Sequence, residues 1–500
     1  MTDVKREIER KYEVADGEPL PGLAGAGPVA DVVDQGVVEL DAVYYDTADE
    51  RLGAASLTLR RRTGGSDAGW HLKFPVAPGV RDEIRAPLAD TVPEEIAALV
   101  RSRVRGAELV PLVSLRSVRD VRHLLDADGA LLAEASVDTV TAERLNRAGG
   151  TARWTEIEVE LADGADPALL DAVEERLAAA GVRPSKAASK VAEALRRTGG
   201  SRARSARAAE PVTAGDHVLA YLREQREAIL ARDPGVRRDL PDSVHQMRVA
   251  TRRMRSAFRA FGSVLDRDAT APVAAELKWL ARELGTGRDQ EVLADRLTSA
   301  LDALSPGQAT GPVRERLASW ATARHGSTRG HLLGVLDSAR YLALLDSLDT
   351  LLADPPLRKQ AARKPDKVLT RALRKEGAKL SRLVTAALAL PPGEDRDHAL
   401  HEARKRAKRA RYAAEAAVPA LGGPARALAR AAKKLTSLLG EHQDSVLARQ
   451  TLRELAAVAH AAGESAFTYG VLYEREEQAA RRAEAELPRR WRKARSAFPR

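Results

Sequence analysis

Residues 5–14 read KREIERKYEV, and the core of that stretch, EIERK at 7–11, decides how the N-terminal part of the chain is built. On a strand, successive side chains turn to opposite faces, so Glu7, Glu9 and Lys11 line one face while Ile8 and Arg10 point to the other. Two carboxylates beside an ammonium group are the minimum set for holding a hard divalent cation through oxygen and a phosphate through a charged donor, provided other strands supply more of each. Taken alone, the same pattern also describes a solvated, charge-alternating segment.

The partners are present. Up to about residue 197 the chain is a series of short alternating segments broken by glycine and proline, among them VVELDAVYYDT (37–47), LTLRRRT (57–63), WHLKFPV (70–76), LVSLRSVRDVRHLL (112–125), LLAEASVDTV (131–140) and WTEIEVEL (154–161). Such spacing predicts a mostly antiparallel sheet or barrel, interrupted by two helices, PEEIAALVRSRV (93–104) and PALLDAVEERLAAAG (167–181). Glu156, Glu158 and Glu160 alternate just as Glu7 and Glu9 do, so if the two faces meet inside a barrel the carboxylates converge and need a cation among them. Basic candidates also lie on strands: Arg60 and Arg62, Lys73, Arg81 alternating with Glu83, and Arg116 and Arg119. Arg116 and Arg119 are an odd number apart, so on a regular strand they face opposite ways, one displaced by a bulge or left on the surface. Tyr45 ends a wall strand and reads as core. Inward charge is the reverse of an ordinary small barrel, and a polyanion with a divalent metal accounts for it.

The chain has 500 residues, 44% apolar and 30% charged, and a prior of roughly 150 residues per domain gives two to four domains. It has no cysteine, which excludes disulfides, thiolate metal sites and cysteine nucleophiles and fits a reducing, cytoplasmic setting. The opening MTDVKREIER lacks the apolar stretch of a signal peptide, and no run approaches the roughly eighteen apolar residues of a membrane span, so no membrane association is expected. Lys plus Arg (81) exceeds Asp plus Glu (71), which points to a polyanionic partner: nucleic acid, an anionic membrane or a phosphate polymer. With aromatic residues at 4% and no recognition motif, no specific nucleic-acid partner is expected.

Residues 198–213 have no apolar period and read as a flexible basic linker between a domain over 1–197 and one over 214–495. Beyond it the strand signals stop. Apolar residues recur at three and four across helices near 215–232, 242–262, 272–303, 312–325, 328–353, 366–389, 397–418, 424–441, 444–462 and 464–487, the pattern of an all-α bundle. This half repeats itself, over about 214–355 and 366–490. His245, Arg248, Arg252, Arg253 and Arg255 recur 156 residues on as His401, Arg404, Lys408, Arg409 and Arg411; Lys278, Leu284, Gly285 and Asp289 recur 155 residues on as Lys433, Leu439, Gly440 and Asp444. His245, Arg248, Arg252, Arg255 and Arg259 share one helix face, beside an apolar stripe of Val244, Met247, Met254, Phe258 and Phe261 that docks on the bundle. So dense a basic stripe is costly unless an anion neutralises it, and its duplication favours an anion site over a solvated face. The histidines read as phosphate donors or structural hydrogen bonders, and Asp289 and Asp444 as groups that orient the cations.

The ordered set EIERK (7–11), LRRR with Arg60 and Arg62, LKF with Lys73, RDE with Arg81 and Glu83, PLVSLRSVR with Arg116 and Arg119, SVD with Asp138, EIEVE with Glu156 and Glu158, and SKAASK (185–190) resembles the CYTH family, the triphosphate tunnel metalloenzymes, over roughly residues 3–197. The resemblance implies an eight-stranded antiparallel β tunnel or barrel with flanking helices, and hence an α+β chain overall. It implies basic side chains gripping a triphosphate-like chain and acidic ones holding Mg2+ or Mn2+. On that basis Glu7, Glu9, Asp138, Glu156 and Glu158 fall to the metal or to water activation, and with Lys11 make the catalytic set. Arg60, Arg62, Lys73, Arg81, Arg116, Arg119 and Lys190 fall, like Lys11, to the phosphates. The serine and lysine pair of SKAASK is Ser185 with Lys186 or Ser189 with Lys190, and the second is preferred.

HQMRVATRRMR (245–255), LGTGRDQEV (284–292), HEARKRAKRARY (401–412) and LGEHQDSV (439–446) resemble the CHAD domain, named for conserved histidines on an α-helical scaffold, over about residues 213–490. That family is associated with binding inorganic polyphosphate in a basic groove between two helical repeats. The residues implied are His245, Arg248, Arg252, Arg253, Arg255, Lys278, Arg282, Arg288, His401, Arg404, Lys405, Lys408, Arg409, Arg411, Lys433 and Lys434. Arg288 is matched by Gln443 and Arg282 by Ser437, so the groove is expected to be asymmetric. The joint expectation is metal-dependent hydrolysis of inorganic triphosphate or a similar terminal phosphoanhydride, with polyphosphate and its granules as partners. Two alternatives stand beside it: a CYTH nucleotide enzyme, such as an adenylate cyclase or thiamine triphosphatase, and a non-catalytic protein that binds polyphosphate or targets its granules.

Overall fold

A computed structural model describes residues 3–145, 149–199, 210–285 and 288–499, apart from the side chains of residues 3, 288, 289 and 323–328. The chain divides into two units, Met1–Ala209 and Glu210–Arg500. Residues 200–209, most of the expected linker, lie outside the described residues.

The first unit runs β1 (Asp3–Val14), β2 (Asp31–Asp46), α1 (Arg51–Ala54), β3 (Thr58–Thr63), β4 (Gly69–Ala77), β5 (Val80–Ala86), α2 (Glu94–Val104), β6 (Val110–Leu125), β7 (Leu131–Arg144), β8 (Thr151–Leu161), α3 (Ala168–Ala179), β9 (Arg183–Pro184) and α4 (Lys190–Arg197). It is an eight-stranded antiparallel barrel, ordered β5-β4-β3-β2-β6-β7-β8-β1 and closed from β1 back to β5. Closure is possible because β1 serves two neighbours. Its first half pairs with β5, Glu7 opposite Arg81, and its second half with β8, Lys11 opposite Glu158. β9 adds a short edge at Tyr12 and Glu13.

Alternation sorts the side chains, and the apolar set goes outward. Leu59, Leu72 and Ile84 pack beneath Ile96, Leu99 and Val100 of α2. Tyr12, Ala133, Ile157 and Val159 pack beneath Leu169, Leu170, Val173 and Leu177 of α3. Tyr45 joins the first of these clusters, its ring 5.0 Å from that of Trp70, as its reading as core anticipated. The inward positions are charged along part of the barrel. Elsewhere Ala42, Val113, Leu115, Val140, Ala142 and Trp154 make an apolar lining that receives Ala194 and Leu195 of α4. The helix therefore stoppers this part of the tunnel. Ser189 caps it, its Oγ accepting from the amide of Ala192 at 3.2 Å.

The second unit is all helical: α5 (Ala214–Arg237), α6 (Ser243–Ala260), α7 (Arg267–Glu283), α8 (Arg288–Asp302), α9 (Val313–Asp337), α10 (Ala339–Ala353), α11 (Pro365–Ala389), α12 (Glu394–Leu421), α13 (Gly423–Ala461) and α14 (Phe467–Ser496). α5 starts from a capping box between Thr213 and Asp216. Met247, Met254, Phe258 and Phe261 are buried in the bundle as the apolar stripe of α6 required. On α12 the small residues Ala403, Ala407 and Ala410 pack against Leu435 and Leu439 of α13 and Leu487 and Trp491 of α14.

Three helix boundaries differ from the periodicity. The expected helix over 272–303 is two, α7 ending at Glu283 and α8 starting at Arg288, and the sequence between them carries two glycines, Gly285 and Gly287. The expected break near 326 falls instead at Ser338, whose Oγ caps α10 by accepting from the amide of Tyr341, and the single Gly326 is carried inside α9. The expected pair over 424–441 and 444–462 is one continuous helix, α13, because the second repeat has one glycine, Gly440, where the first has two. Among the described residues no helix is long and apolar enough to cross a membrane.

Ile157 is fully buried between β8 and α3. Ile157→Ala should cost about 2–5 kcal/mol, seen as an earlier unfolding transition of the barrel in thermal melts of the full chain followed by β-sheet circular dichroism.

Candidate active site

The barrel encloses a cavity of about 480 Å³ lined by side chains from β1, β2, β3, β4, β5, β6, β7, β8 and the start of α4. Lys5, Glu7, Glu9 and Lys11 all face it, as every second residue of β1 should. Its centre is the carboxylate of Glu158, which ion-pairs with Lys11 and Lys190 and accepts from Arg119 Nη2 at 2.7 Å. Arg119 also takes Asp138 in a two-point grip, Nε to Oδ1 and Nη2 to Oδ2, both at 2.7 Å. Lys190 reaches Asp138 at 2.7 Å and Glu156 at 3.1 Å, and Lys11 lies 3.2 Å from Glu9.

A second knot surrounds Glu83, which has no exposed surface. Arg85 reaches it at 2.5 Å, His71 at 2.9 Å, Arg60 at 3.4 Å and Lys73 at 3.5 Å, while Lys73 also holds Glu7 at 2.5 Å. Tyr44 turns its hydroxyl to Arg60 at 3.5 Å. Arg81 lines the cavity and donates to the carbonyl of Ala188 in the segment leading to α4, and Arg62 pairs with Asp67.

These environments separate the carboxyl groups. Burial pushes Glu158 up, but Lys11, Lys190 and Arg119 together outweigh it and hold the carboxyl well below its ordinary range. Asp138 is held down the same way, burial opposed by Lys190 and Arg119, and Glu9 by Lys11, Lys73 and Lys190. Glu7 goes the other way: burial, with Glu83 and Glu160 adding to it, exceeds the pull of Lys73.

Ligand atoms of Asp138, Glu156 and Glu158 lie within 4.8 Å of one another, and Oε1 of Glu156, 3.1 Å from Lys190 Nζ, accepts no well-aligned hydrogen bond. A set made only of carboxylate oxygens fits a hard divalent cation such as Mg2+ or Mn2+. Of the five acidic residues expected there, three converge, Glu9 stands beside Lys11, and Glu7 belongs to the Glu83 knot. Of the expected phosphate ligands, Lys11, Arg60, Arg62, Lys73, Arg81, Arg119 and Lys190 line the cavity. Arg116 does not. Its side chain is 72% exposed and pairs with Asp41 at 3.2 Å, because the strand alternates regularly there and only Arg119 can turn inward. Glu83, Lys5, Arg85 and Glu160 were missed as site residues although strand parity puts each on the same face as one that was found.

In the helical unit, α6 and α12 pack against each other and bring the two basic stripes together. Lys408 feels Arg404 on its own helix and Arg252 and Arg248 across the seam; Arg409 feels Arg406, Arg259 and Arg255. Burial and these neighbours push Lys408 down to about 7 and Arg409 down to about 10. The repeat is visible in its contacts. A Cβ at Gly285 would fall 2.7 Å from Arg248 Nη2, and one at Gly440 would fall 3.1 Å from Arg404 Nη2. Arg253 and Arg411, by contrast, both hold Glu415, at 3.0 and 2.7 Å, and lie over the ring of Tyr412, so their charge is spent internally. Arg282 pairs with Glu283 and Lys405 with Glu402. Lys278, Lys433 and Lys434 are exposed, as is His245, while His401 is half-buried. The side chain of Arg288 lies outside the described residues. Sequence reading passed over His442, which is buried between Asp397 at 3.3 Å and Glu484 at 3.2 Å and ties α12, α13 and α14 together. Burial lowers its affinity for protons, but the two carboxylates outweigh that and hold it above the usual histidine value, so it works as an ion-pair clasp.

The CYTH domain model matches residues 5–195 and the CHAD domain model residues 220–453. The uncharacterized protein Rv2226 of Mycobacterium tuberculosis is 39% identical over 496 residues, covering 96% of this chain and 94% of its own. The CHAD domain from the plant Ricinus communis matches 58% of this chain and 92% of its own at 24% identity, with a TM-score of 0.40. HpAC1 from Hippeastrum, for which a dominant triphosphatase activity is reported, matches 37% of this chain and 93% of its own at 22% identity, with a TM-score of 0.25.

Because Asp138 and Glu158 are held below their unfolded values, the stability they contribute is present above about pH 4 and is lost as pH falls further. Melting of the barrel should therefore weaken steeply below about pH 4. Asp138→Asn should flatten part of that acid dependence and, by leaving Arg119 and Lys190 short of a partner, cost about 3 kcal/mol at pH 7 in the same melts.

Proposed function

The chain belongs to the CYTH and CHAD families, one in each half, and on that premise we propose that its tunnel hydrolyses inorganic triphosphate, or a similar terminal phosphoanhydride, while its helical half binds inorganic polyphosphate. CYTH proteins are tunnel metalloenzymes that act on phosphoanhydrides with divalent metal ions. The observation that carries the finer reading is the meeting of three cations that line the cavity, Lys11, Arg119 and Lys190, with the clustered carboxylates of Asp138, Glu156 and Glu158. A pure polyanion binder has no use for acidic groups among its cations. A nucleotide enzyme needs a surface for a base, and the lining offers one aromatic ring, that of Tyr44, turned to Arg60.

The division of labour follows from position. Lys73, Arg60, Arg81 and Lys11 neutralise the chain of phosphates and hold it along the tunnel, while Arg119 and Lys190 orient the terminal group over the acidic triad. Asp138, Glu156 and Glu158, with Glu9 beside them, would hold Mg2+ or Mn2+, which when bound withdraws charge from the phosphoryl oxygens and acidifies water. Direct attack by water needs no nucleophile from the protein. Ala194 and Leu195 of α4 cover the apolar lining beyond the acidic groups. In the helical half, the Arg248, Arg252, Arg404 and Lys408 patch offers cations at the spacing of successive helical turns to an extended polyanion, with polyphosphate granules in a reducing cytoplasm as its natural setting.

Phosphate release should be measured from tripolyphosphate, ATP, thiamine triphosphate and long-chain polyphosphate with Mg2+ or Mn2+. Tripolyphosphate should be turned over fastest, chelation should abolish release, and Glu9→Gln should lower kcat at least a hundredfold. Release from thiamine triphosphate or ATP alone would move the tunnel to the nucleotide-type enzymes. No release, with polyphosphate still bound, would leave a binding protein.

A further inference from the structure

Alternate residues of β8 turn the same way, so Trp154, Glu156 and Glu158 form one row, with Asp138 of β7 directly across from Glu156. Glu158 lines the tunnel cavity. Glu156 and Trp154 line a second cavity, of about 430 Å³, whose wall includes the exposed Arg153 and Arg183. The Glu156 carboxylate thus stands between the acidic triad and a second space with cations of its own, and its two oxygens are held differently. Oε1 lies 3.1 Å from Nζ of Lys190, the atom that also reaches Asp138 at 2.7 Å and pairs with Glu158, so this oxygen is the one turned to the other two carboxylates. Oε2 accepts from the indole N–H of Trp154 at 2.7 Å. Both side chains are only 5% exposed. The indole is itself fixed, packed with Val140, Ala142 and Leu195 and covered by the guanidinium of Arg197 at 5.5 Å from a ring centroid. An indole nitrogen donates and never accepts, so the bond can form in one sense only, to a carboxylate that keeps its charge.

Resting on the metal-dependent reading above, we propose that Trp154 is a positioning residue for the acidic triad: its N–H holds Oε2 of Glu156 and thereby keeps Oε1 facing Asp138 and Glu158, where a divalent cation needs it. Glutamate rotates about several side-chain bonds, and a carboxylate already turned to its place loses less freedom when the ion arrives. Without the N–H, Glu156 has room to swing across the second cavity toward Arg153 and Arg183, and the triad keeps two carboxylates of its three. Trp154 acts only through Glu156.

Binding of Mn2+ to the full chain, with no phosphate present, is followed by loss of the free ion's electron paramagnetic resonance. Trp154→Phe keeps an aromatic ring in the lining and removes the N–H, and it should raise the Kd of the site about tenfold. Glu156→Ala should weaken the same site, and adding Trp154→Phe to it should weaken it no further. A tryptophan that served packing alone would cost the same in either background. The wild type supplies a reading that does not depend on any variant folding. Of its five indole N–H signals in a heteronuclear correlation spectrum, one should move as Mg2+ is added, because the ion draws charge from the acceptor carboxylate. That signal belongs to Trp154, since Trp70 donates to the carbonyl of Ala89 and Trp279, Trp320 and Trp491 lie in the helical unit. An unchanged Kd in Trp154→Phe, or an equal loss in the two backgrounds, overturns the proposal, as does an unmoved indole signal should the variant not fold; the metal reading stands in each case. A wild type that binds no Mn2+ overturns both.

Discussion

The Glu158 carboxylate is met by cations from three separate elements, Lys11 on β1, Arg119 on β6 and Lys190 at the start of α4. Each of these ions would cost several kcal/mol if buried alone. The pairings therefore fix where β1, β6, β8 and α4 stand relative to one another: a strand slipped by one residue would turn its charges into the apolar shell and bring Ile157 or Val159 inside. The apolar exterior follows from the same constraint. Since the inward positions are spent on charge, the outward ones must supply the core, and α2 and α3 exist in this unit to cover them. A barrel with a wet, ionic centre and a dry outside is the result, the reverse of a small barrel packed with side chains.

Much of this could be read from alternation. Glu7, Glu9 and Lys11 share a face because they are two apart, and the same parity assigns Arg119 inward and Arg116 outward once either is known. Parity also contained Lys5 and Glu160, two residues from recognised ligands, and Arg85, four residues from Arg81. What it could not contain is depth. Whether a carboxylate on the correct face belongs with Asp138 or with Glu83 depends on the shear of the barrel, and so the split of Glu7 from the acidic triad had no signal in spacing. The placement of Lys190 was equally hidden, because it arrives on a helix whose apolar residues, Ala194 and Leu195, look in sequence like any short amphipathic turn.

The helical half was legible for a different reason. A repeated pattern is its own control, and His245 to Arg255 with its counterpart 156 residues on made the stripe visible before any contact was known. Its boundaries were less so. Periodicity at three and four does not register whether a helix continues through one glycine, as α13 does at Gly440, or ends where two come close together, as α7 does before Thr286. Charge counting does not register acids met across the fold: Arg253 and Arg411 both pair with Glu415.

On the proposed function, the two halves hold a polyanion with opposite inventories. In the tunnel every strong cation near the triad has an acidic partner, so the free protein is balanced and an arriving phosphate must compete with Asp138, Glu156 and Glu158 for Lys11, Arg119 and Lys190. A divalent cation held by these carboxylates would relieve that competition and so couple metal to substrate by charge alone. Across the α6 and α12 seam, burial and neighbouring cations displace both Lys408 and Arg409 downward. On that reading an anion arriving there would gain by cancelling this repulsion, with no metal required. A site that must turn its ligand over benefits from the first arrangement, because the product leaves behind ion pairs that re-form. A site that must hold on benefits from the second.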